Sequence, residues 1–286
     1  MTVEPVIGSQ PRIATAPPPR APVAGKLGSW LGRHASSDIL VQALVVLALF
    51  AAWEAVGRAK IVHPFLLPPL SDVISRIGTD LISLQVPVDL GLTLYRTLSG
   101  FLIAALLGIP IGVLMARIPL VKWFFDPLIS VGFPMPKISF LPIFILWFDI
   151  FDTSKIIMVA FTCIFPIIAA AYSGTLGVDK WPIWSARSLG ASKHQILREV
   201  VLPMALPQIL TGLQIALPVG LITTIATEML MGGQGVGGTM ITAGRFADSV
   251  GVFAGIVEIA IFGMLVIRSL ELVRARLLVW HPEARR

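Results

Sequence analysis

Six runs of predominantly apolar residues, at positions 39–56, 98–116, 124–148, 156–177, 204–227 and 250–267, dominate this sequence. A helix needs about 20 such residues to cross the hydrocarbon core of a bilayer, because each adds only about 1.5 Å. The second, fourth and fifth runs contain no Asp, Glu, Lys or Arg. None of the runs alternates polar and apolar residues, and each is about twice as long as a barrel strand. Lipid offers no partner to an unpaired backbone amide, so the runs are predicted to be helices. The expected fold is therefore an all-α integral membrane protein with six transmembrane helices. Composition agrees. Charged residues make up 13% of the chain, against about 25% in soluble domains, and mean hydropathy is +0.86. So few charges cannot coat a compact sphere, which excludes a soluble globular enzyme and a disordered chain.

The net charge of +6 has two readings, nucleic-acid binding and membrane topology, and its placement decides between them. With the N-terminus in the cytoplasm, fifteen Lys and Arg fall in inside segments and six in outside segments, with Lys137 within a span. Arg96 counts among the outside six. Such an excess predicts that both termini are cytoplasmic, and it makes the charge a marker of orientation rather than of nucleic acid. Residues 1–35 hold six prolines among Ala, Gly and scattered Arg, and read as a flexible cytoplasmic tail. They lack the apolar core of a signal peptide. Residues 36–63 carry the first transmembrane helix, and residues 281–286 form a short cytoplasmic tail.

The chain contains no recognisable catalytic constellation. Its single cysteine, Cys163, lies in an apolar run and reads as an inert buried thiol. His34, His63, His194 and His281 are scattered without ligand spacing, so no metal site is expected. Gly233-x-Gly235-x-x-Gly238 formally fits a dinucleotide-binding pattern, but no strand precedes it and it falls on the outer face. Neither a catalytic residue nor a bound cofactor is therefore expected on this chain.

Ionisable groups inside a membrane are costly and mark function by default. Lys137 lies near the middle of the third run, and Glu258 at a comparable depth in the sixth. They are expected to face the interior and either pair, fixing helix packing, or line a pathway. If the solute is an anion, Lys137 is the better attractor. Glu228 closes the fifth run just before a Gly-rich segment containing Gly235 and Gly237, expected to form a tight outer turn or re-entrant segment near a gate. At a water interface Glu228 is either solvated or functional. The third run carries Pro127, Pro134, Pro136 and Pro142, which predicts a break near residues 132–137. Such breaks serve either substrate sites or packing.

The longest cytoplasmic loop, residues 178–203, is amphipathic. Ile196, Leu197, Val200 and Val201 share one face, with Lys193, Arg198 and Glu199 off it. A loop this polar meets either lipid headgroups or a soluble partner. It reads Trp184-Ser185-Ala186-Arg187-Ser188-Leu189-Gly190, then nine residues, then Val200-Val201-Leu202-Pro203. This resembles the cytoplasmic EAA loop of ABC importer permeases, with Ala186, Gly190, Leu202 and Pro203 matching in register. Trp184 and Ser185 stand where that pattern has Glu and Ala. ARSLGAS at 186–192 and VVLPMALP at 200–207 look like the subgroup importing nitrate, taurine, aliphatic sulfonates and bicarbonate. Residues 92–112 and 141–156 are similar to the same subgroup, so the resemblance covers residues 64–280.

The resemblance implies a type I ABC importer permease core and a multi-pass protein of the bacterial inner membrane. It implies a homodimer that works with two ATPase subunits and an external substrate-binding protein, with ATP used only by the partner. It also implies an ATPase-coupling role for Trp184, Ala186, Arg187, Gly190, Ala191, Ser192, Leu202 and Pro203. Lys137, Glu228, Glu258, Gly235 and Gly237 are the pathway or gate candidates. An ion-gradient secondary transporter is the competing reading, favoured if Lys137 and Glu258 relay protons. An integral membrane enzyme is disfavoured, because no polar cluster sits at either interface.

Overall fold

The computed structural model describes residues 27–280, and among them every element is helical. The chain divides into two units, residues 1–53 and 54–286. In the first, the described part belongs to helix α1 (Leu27–Arg58). Its apolar side chains, among them Leu40, Leu44 and Leu47, are exposed, which suits contact with lipid. α1 begins before the expected boundary at residue 36, so residues 27–35 are helical rather than tail. The tail expected over residues 1–26 and the one over 281–286 lie outside the described residues.

The second unit contains α2 (Leu70–Ile82), α3 (Gln85–Arg117), α4 (Pro119–Gly132) and α5 (Leu141–Phe148). These are followed by α6 (Asp152–Leu176), α7 (Lys180–Ser188), the single turn α8 (Lys193–Gln195), α9 (Leu202–Met231), α10 (Val236–Arg245) and α11 (Ser249–Leu277). Among the described residues five helices are long and apolar enough to cross a membrane, or six if the bent pair α4 and Lys137–Phe148 counts as one span. That pair turns through 99°, so the expected break in the third run is present. Pro134 and Pro136 explain it, since each lacks an N–H and disfavours helical backbone in the residue before it.

α3, α6 and α9 form the core, with Phe101, Ala104, Val159, Cys163, Ile167, Ala216 and Leu217 in one buried cluster. Helices in lipid gain little from apolar burial, so they associate by close packing of small residues. On α3, Gly100, Ala104, Gly108 and Gly112 recur every fourth residue and are all buried. A Cβ on Gly100 would lie 2.6 Å from both Ile156 O and the Val159 Cβ, and one on Gly112 would lie 2.6 Å from Ile168 O. Threonines inside the spans return their hydroxyl protons to carbonyls one turn back, as Thr162 does to Met158 at 2.9 Å. That satisfies a donor for which lipid has no acceptor.

Several bounds differ from expectation for one reason. Charged or polar residues ended the apolar runs, while the helices continue past them. α3 begins at Gln85 rather than 98 and is about 50 Å long at the helical rise. α6 begins at Asp152 and α9 ends at Met231. α2 and α10 were not anticipated, being shorter than a span.

Candidate functional site

α9 joins two polar ends of the second unit. Its 30 residues make a rod of about 45 Å. The loop that precedes it is built as an elbow. α7 ends at Ser188, and the chain reverses at Gly190, whose φ of +86° is strained for any residue with a Cβ. The Gly190 and Ala191 amides donate to Arg187 O and Ala186 O, both at 3.0 Å, which closes the end of α7. Ser192 then starts the next turn with a capping box. Its hydroxyl accepts from the Gln195 amide at 3.3 Å, and its own amide donates to Gln195 Oε1 at 2.9 Å. Residues Ile196–Val201 continue as a wider π turn directly into α9, where Pro203 falls in the first turn. The second half of the loop is thus the beginning of the span, not a separate helix.

The amphipathic pattern is reproduced. Ile196 and Val201 are buried, while Lys193, Arg198 and Glu199 are exposed. On the other arm, Trp181, Trp184 and Leu189 are exposed, and the two tryptophan rings meet edge to face at 5.3 Å. Of the coupling candidates, Trp184, Arg187, Gly190 and Ser192 are exposed, and Ala186, Ala191, Leu202 and Pro203 are partly buried.

At the far end of α9, Glu228 is fully buried, not solvated. Thr93 Oγ1 donates to it, lying 3.0 Å from each carboxylate oxygen; Arg96 Nη1 donates at 2.6 Å and the Gly237 amide at 3.1 Å. Arg96 also donates to Gln234 O at 2.7 Å and, through Nε, to Asp152 Oδ1 at 2.8 Å. The Gly235 amide donates to Asp89 at 2.9 Å. This single network ties α3, α6, α9 and the Gly-rich segment together. Low dielectric strengthens such bonds, provided that every member is satisfied. Gly235, at φ +111°, has no room for a side chain, since a Cβ would lie 2.5 Å from the Glu228 Cδ and 2.7 Å from Arg96 Nη1. A tight turn is therefore present in the Gly-rich segment, and it is followed by α10, too short to span a membrane.

Arg96 corrects the sequence reading. It is 3% exposed and lies within α3 rather than before the start of the helix. Lys155, also assigned outside, is equally buried in α6 and lies 3.5 Å from Gly232 O. Asp89, Thr93 and Asp152 were likewise missed. The signal was present, because Arg96 extends the four-residue period of the buried glycine face, and Asp89, Thr93 and Thr97 run beside it at the same period toward buried Phe101.

Lys137 and Glu258 do not pair. Lys137 Nζ donates to Phe133 O at 2.8 Å and Met135 O at 3.4 Å, satisfying carbonyls released by the proline break, and lies 5.0 Å from the Phe165 ring. Its segment packs on α6, whereas α11, which carries Glu258, packs on α2, α9 and α10. Among the described residues no cluster of His, Cys, Asp or Glu fit to hold a metal ion is present.

Residues 108–279 match the family described as the inner membrane component of binding-protein-dependent transport systems. The chain is 35% identical over 240 residues to the taurine transport system permease protein TauC of Escherichia coli K12, covering 82% of this chain and 87% of that one. It is 30% identical over 238 residues to the putative aliphatic sulfonates transport permease protein SsuC of Bacillus subtilis 168, covering 83% and 86%. The formylaminopyrimidine transport permease protein ThiX of Halalkalibacterium halodurans is 30% identical, covering 87% of this chain and 98% of that one. In fold it resembles an inward-facing form of the MetNI methionine ABC transporter, with a TM-score of 0.52 at 20% identity, covering 65% of this chain and 96% of that one.

Proposed function

The chain belongs to the family of binding-protein-dependent transport inner membrane components and is the permease subunit of an ABC importer, and on that premise we propose how it works and what it carries. It is a multi-pass inner membrane protein and a transport component. The solute is a small sulfonate-class anion, by analogy with the relatives named for taurine and aliphatic sulfonates. ATP is hydrolysed on a separate subunit. Two permease copies work with two ATPases and an external binding protein.

The observation that carries this reading is the elbow at the start of α9. Exposed Trp181 and Trp184 stand on α7, with exposed Leu189 just after it, and the Gly190 turn and the Ser192 cap fix the chain that follows. Apolar side chains held in this way supply anchors for a soluble partner. α9 then links that elbow to Glu228 and, through it, to Arg96 and the Gly-rich segment. A push on the elbow is thereby delivered to the opposite end of the bundle. Alternating access follows if the Glu228 network opens and closes as the ATPases separate and close.

Orientation is supported by charge. With Arg96 and Lys155 removed from the outside segments, fifteen Lys and Arg remain inside against four outside. The N-terminus and C-terminus are then cytoplasmic, and the elbow faces the nucleotide pool. Lys137, at the broken span, is the anion-attracting group of the pathway. The gradient-driven alternative is not favoured by the family match, and the proton relay it invoked lacks its pair.

The reading is tested by copurification. Affinity-tagged permease solubilised from its own membranes is expected to bring down an ATPase subunit, and Trp184→Ala combined with Gly190→Pro to lose it while the permease stays monodisperse. Undiminished recovery of the ATPase with that variant would sink the coupling assignment.

A further inference from the structure

A second polar locus adjoins the Glu228 network at Asp89, where α2, the start of α3, α10 and α11 line a cavity of about 270 Å³. Its charged lining is Arg76, Asp80, Asp89, Asp248 and Glu258. Arg76 is the one cation of the set and is already committed. Its Nε donates to Asp80 at 2.8 Å and its Nη1 to Asp248 at 2.9 Å. Asp89 accepts from the Gly235 amide, and Asp248 also from the Gly251 amide, each at 2.9 Å. Glu258 differs from all of these. It is 8% exposed, and its Oε1 has no hydrogen-bond partner. Removing a carboxylate from water without a partner is expensive, so such a group either holds a proton or awaits a cation.

Three observations narrow the ligand. Four carboxylates face one guanidinium, so the cavity selects positive charge. No three acidic, imidazole or thiol groups among the described residues converge to hold a metal ion. The space is also much larger than a single ion, and Met240 and Phe246 give it apolar wall. We propose that this cavity is a subsite for the primary ammonium group of a small organic solute, with Glu258 as its anionic acceptor. An ammonium brings three donors, which suits the Glu258 carboxylate where it lines the cavity. The inference rests on the permease reading in one respect, that the amine belongs to the solute in transit. The solute is then an aminosulfonate, carrying both charges, rather than a simple alkanesulfonate. Lys137, on the α6 side of the bundle, is not part of this subsite.

Binding to the purified full-length permease in nanodiscs, without ATPase, tests the subsite by calorimetry. The probes are 2-aminoethanesulfonate, ethanesulfonate, propylamine and sodium chloride. Both amines are expected to bind at least tenfold more tightly than ethanesulfonate, and Glu258→Gln to remove that preference. Should Glu258→Gln fail to purify, Ala243→Leu, which narrows the cavity from α10 without altering a carboxylate, is expected to weaken amine binding at least tenfold. Equal binding of ethanesulfonate, wild-type amine affinity in whichever variant is measured, or competition by sodium at equal concentration would each overturn the proposal. Amine binding that persists while ATP-driven uptake cannot be reconstituted removes the permease reading and leaves the subsite. Uptake that ignores the amine and Glu258 does the reverse.

Discussion

Replacing Arg96 with Met removes the only guanidinium in the network around Glu228 while preserving most of its apolar stem. Arg96 is 3% exposed and Glu228 is fully buried, so the remaining carboxylate keeps only Thr93 and the Gly237 amide. Breaking a buried pair from one side costs about 3–5 kcal/mol, because an uncompensated charge is left behind. The side chain of Asp152 is 45% exposed, so water can solvate it, and it adds little to that cost. Glu228→Gln is milder. The arginine retains Asp152 and Gln234 O, and the amide still accepts from Gly237, so about 1–3 kcal/mol is expected. In the double variant the stranded charge is gone, and the combined loss falls short of the sum by about 1–3 kcal/mol. Equilibrium unfolding of the four proteins in mixed micelles measures the cycle. Additive losses, or an Arg96→Met protein as stable as wild type, would refute the claim that this network holds α3, α6 and α9 together.

Three further outcomes are expected. Gly235→Ala forces a Cβ against the Glu228 carboxylate at a φ of +111°, and should lower stability by about 2 kcal/mol or more; a thermal midpoint within a degree of wild type would contradict it. Ser192→Ala removes the hydroxyl half of the capping box and should cost about 1 kcal/mol, with hydrogen exchange quickening at residues 193–196 and not in α6; uniform exchange changes would contradict a local cap. The Asp248 carboxyl is held below its ordinary range by the Gly251 amide and by Arg76, with burial opposing, so its stabilisation is complete above about pH 4 and is lost as pH falls through the lowered value. The gap between the thermal midpoints of wild type and Asp248→Asn should therefore be full at pH 6 and narrow progressively as pH is lowered below about 4; a constant gap would contradict the linkage.

How much of this was legible in the sequence depended on whether the responsible interaction was local. The break after Gly132 was readable because prolines act on their own backbone and on the preceding residue. The elbow was readable because Gly190, Ser192 and the stripe from Ile196 to Val201 lie within one short segment. Arg96 was misread because its partner Glu228 lies 132 residues away in sequence, and an unpaired arginine does not belong in a membrane. The same long-range pairing lets α3 begin at Gln85, since the charges that ended the apolar run are neutralised by other helices. Lys137 and Glu258 were matched by depth along their helices, yet depth carries no information about which side of the core a helix occupies.

The central claim is that nucleotide hydrolysis on a partner, passed through the elbow and α9, drives import through this chain. Uptake of labelled sulfonate by proteoliposomes containing the permease, its ATPase and its binding protein tests that claim most directly. Transport should require ATP, all three components and the intact elbow, and should persist when ion gradients are collapsed. Uptake by the permease alone, driven by a proton gradient and indifferent to ATP, would contradict the account.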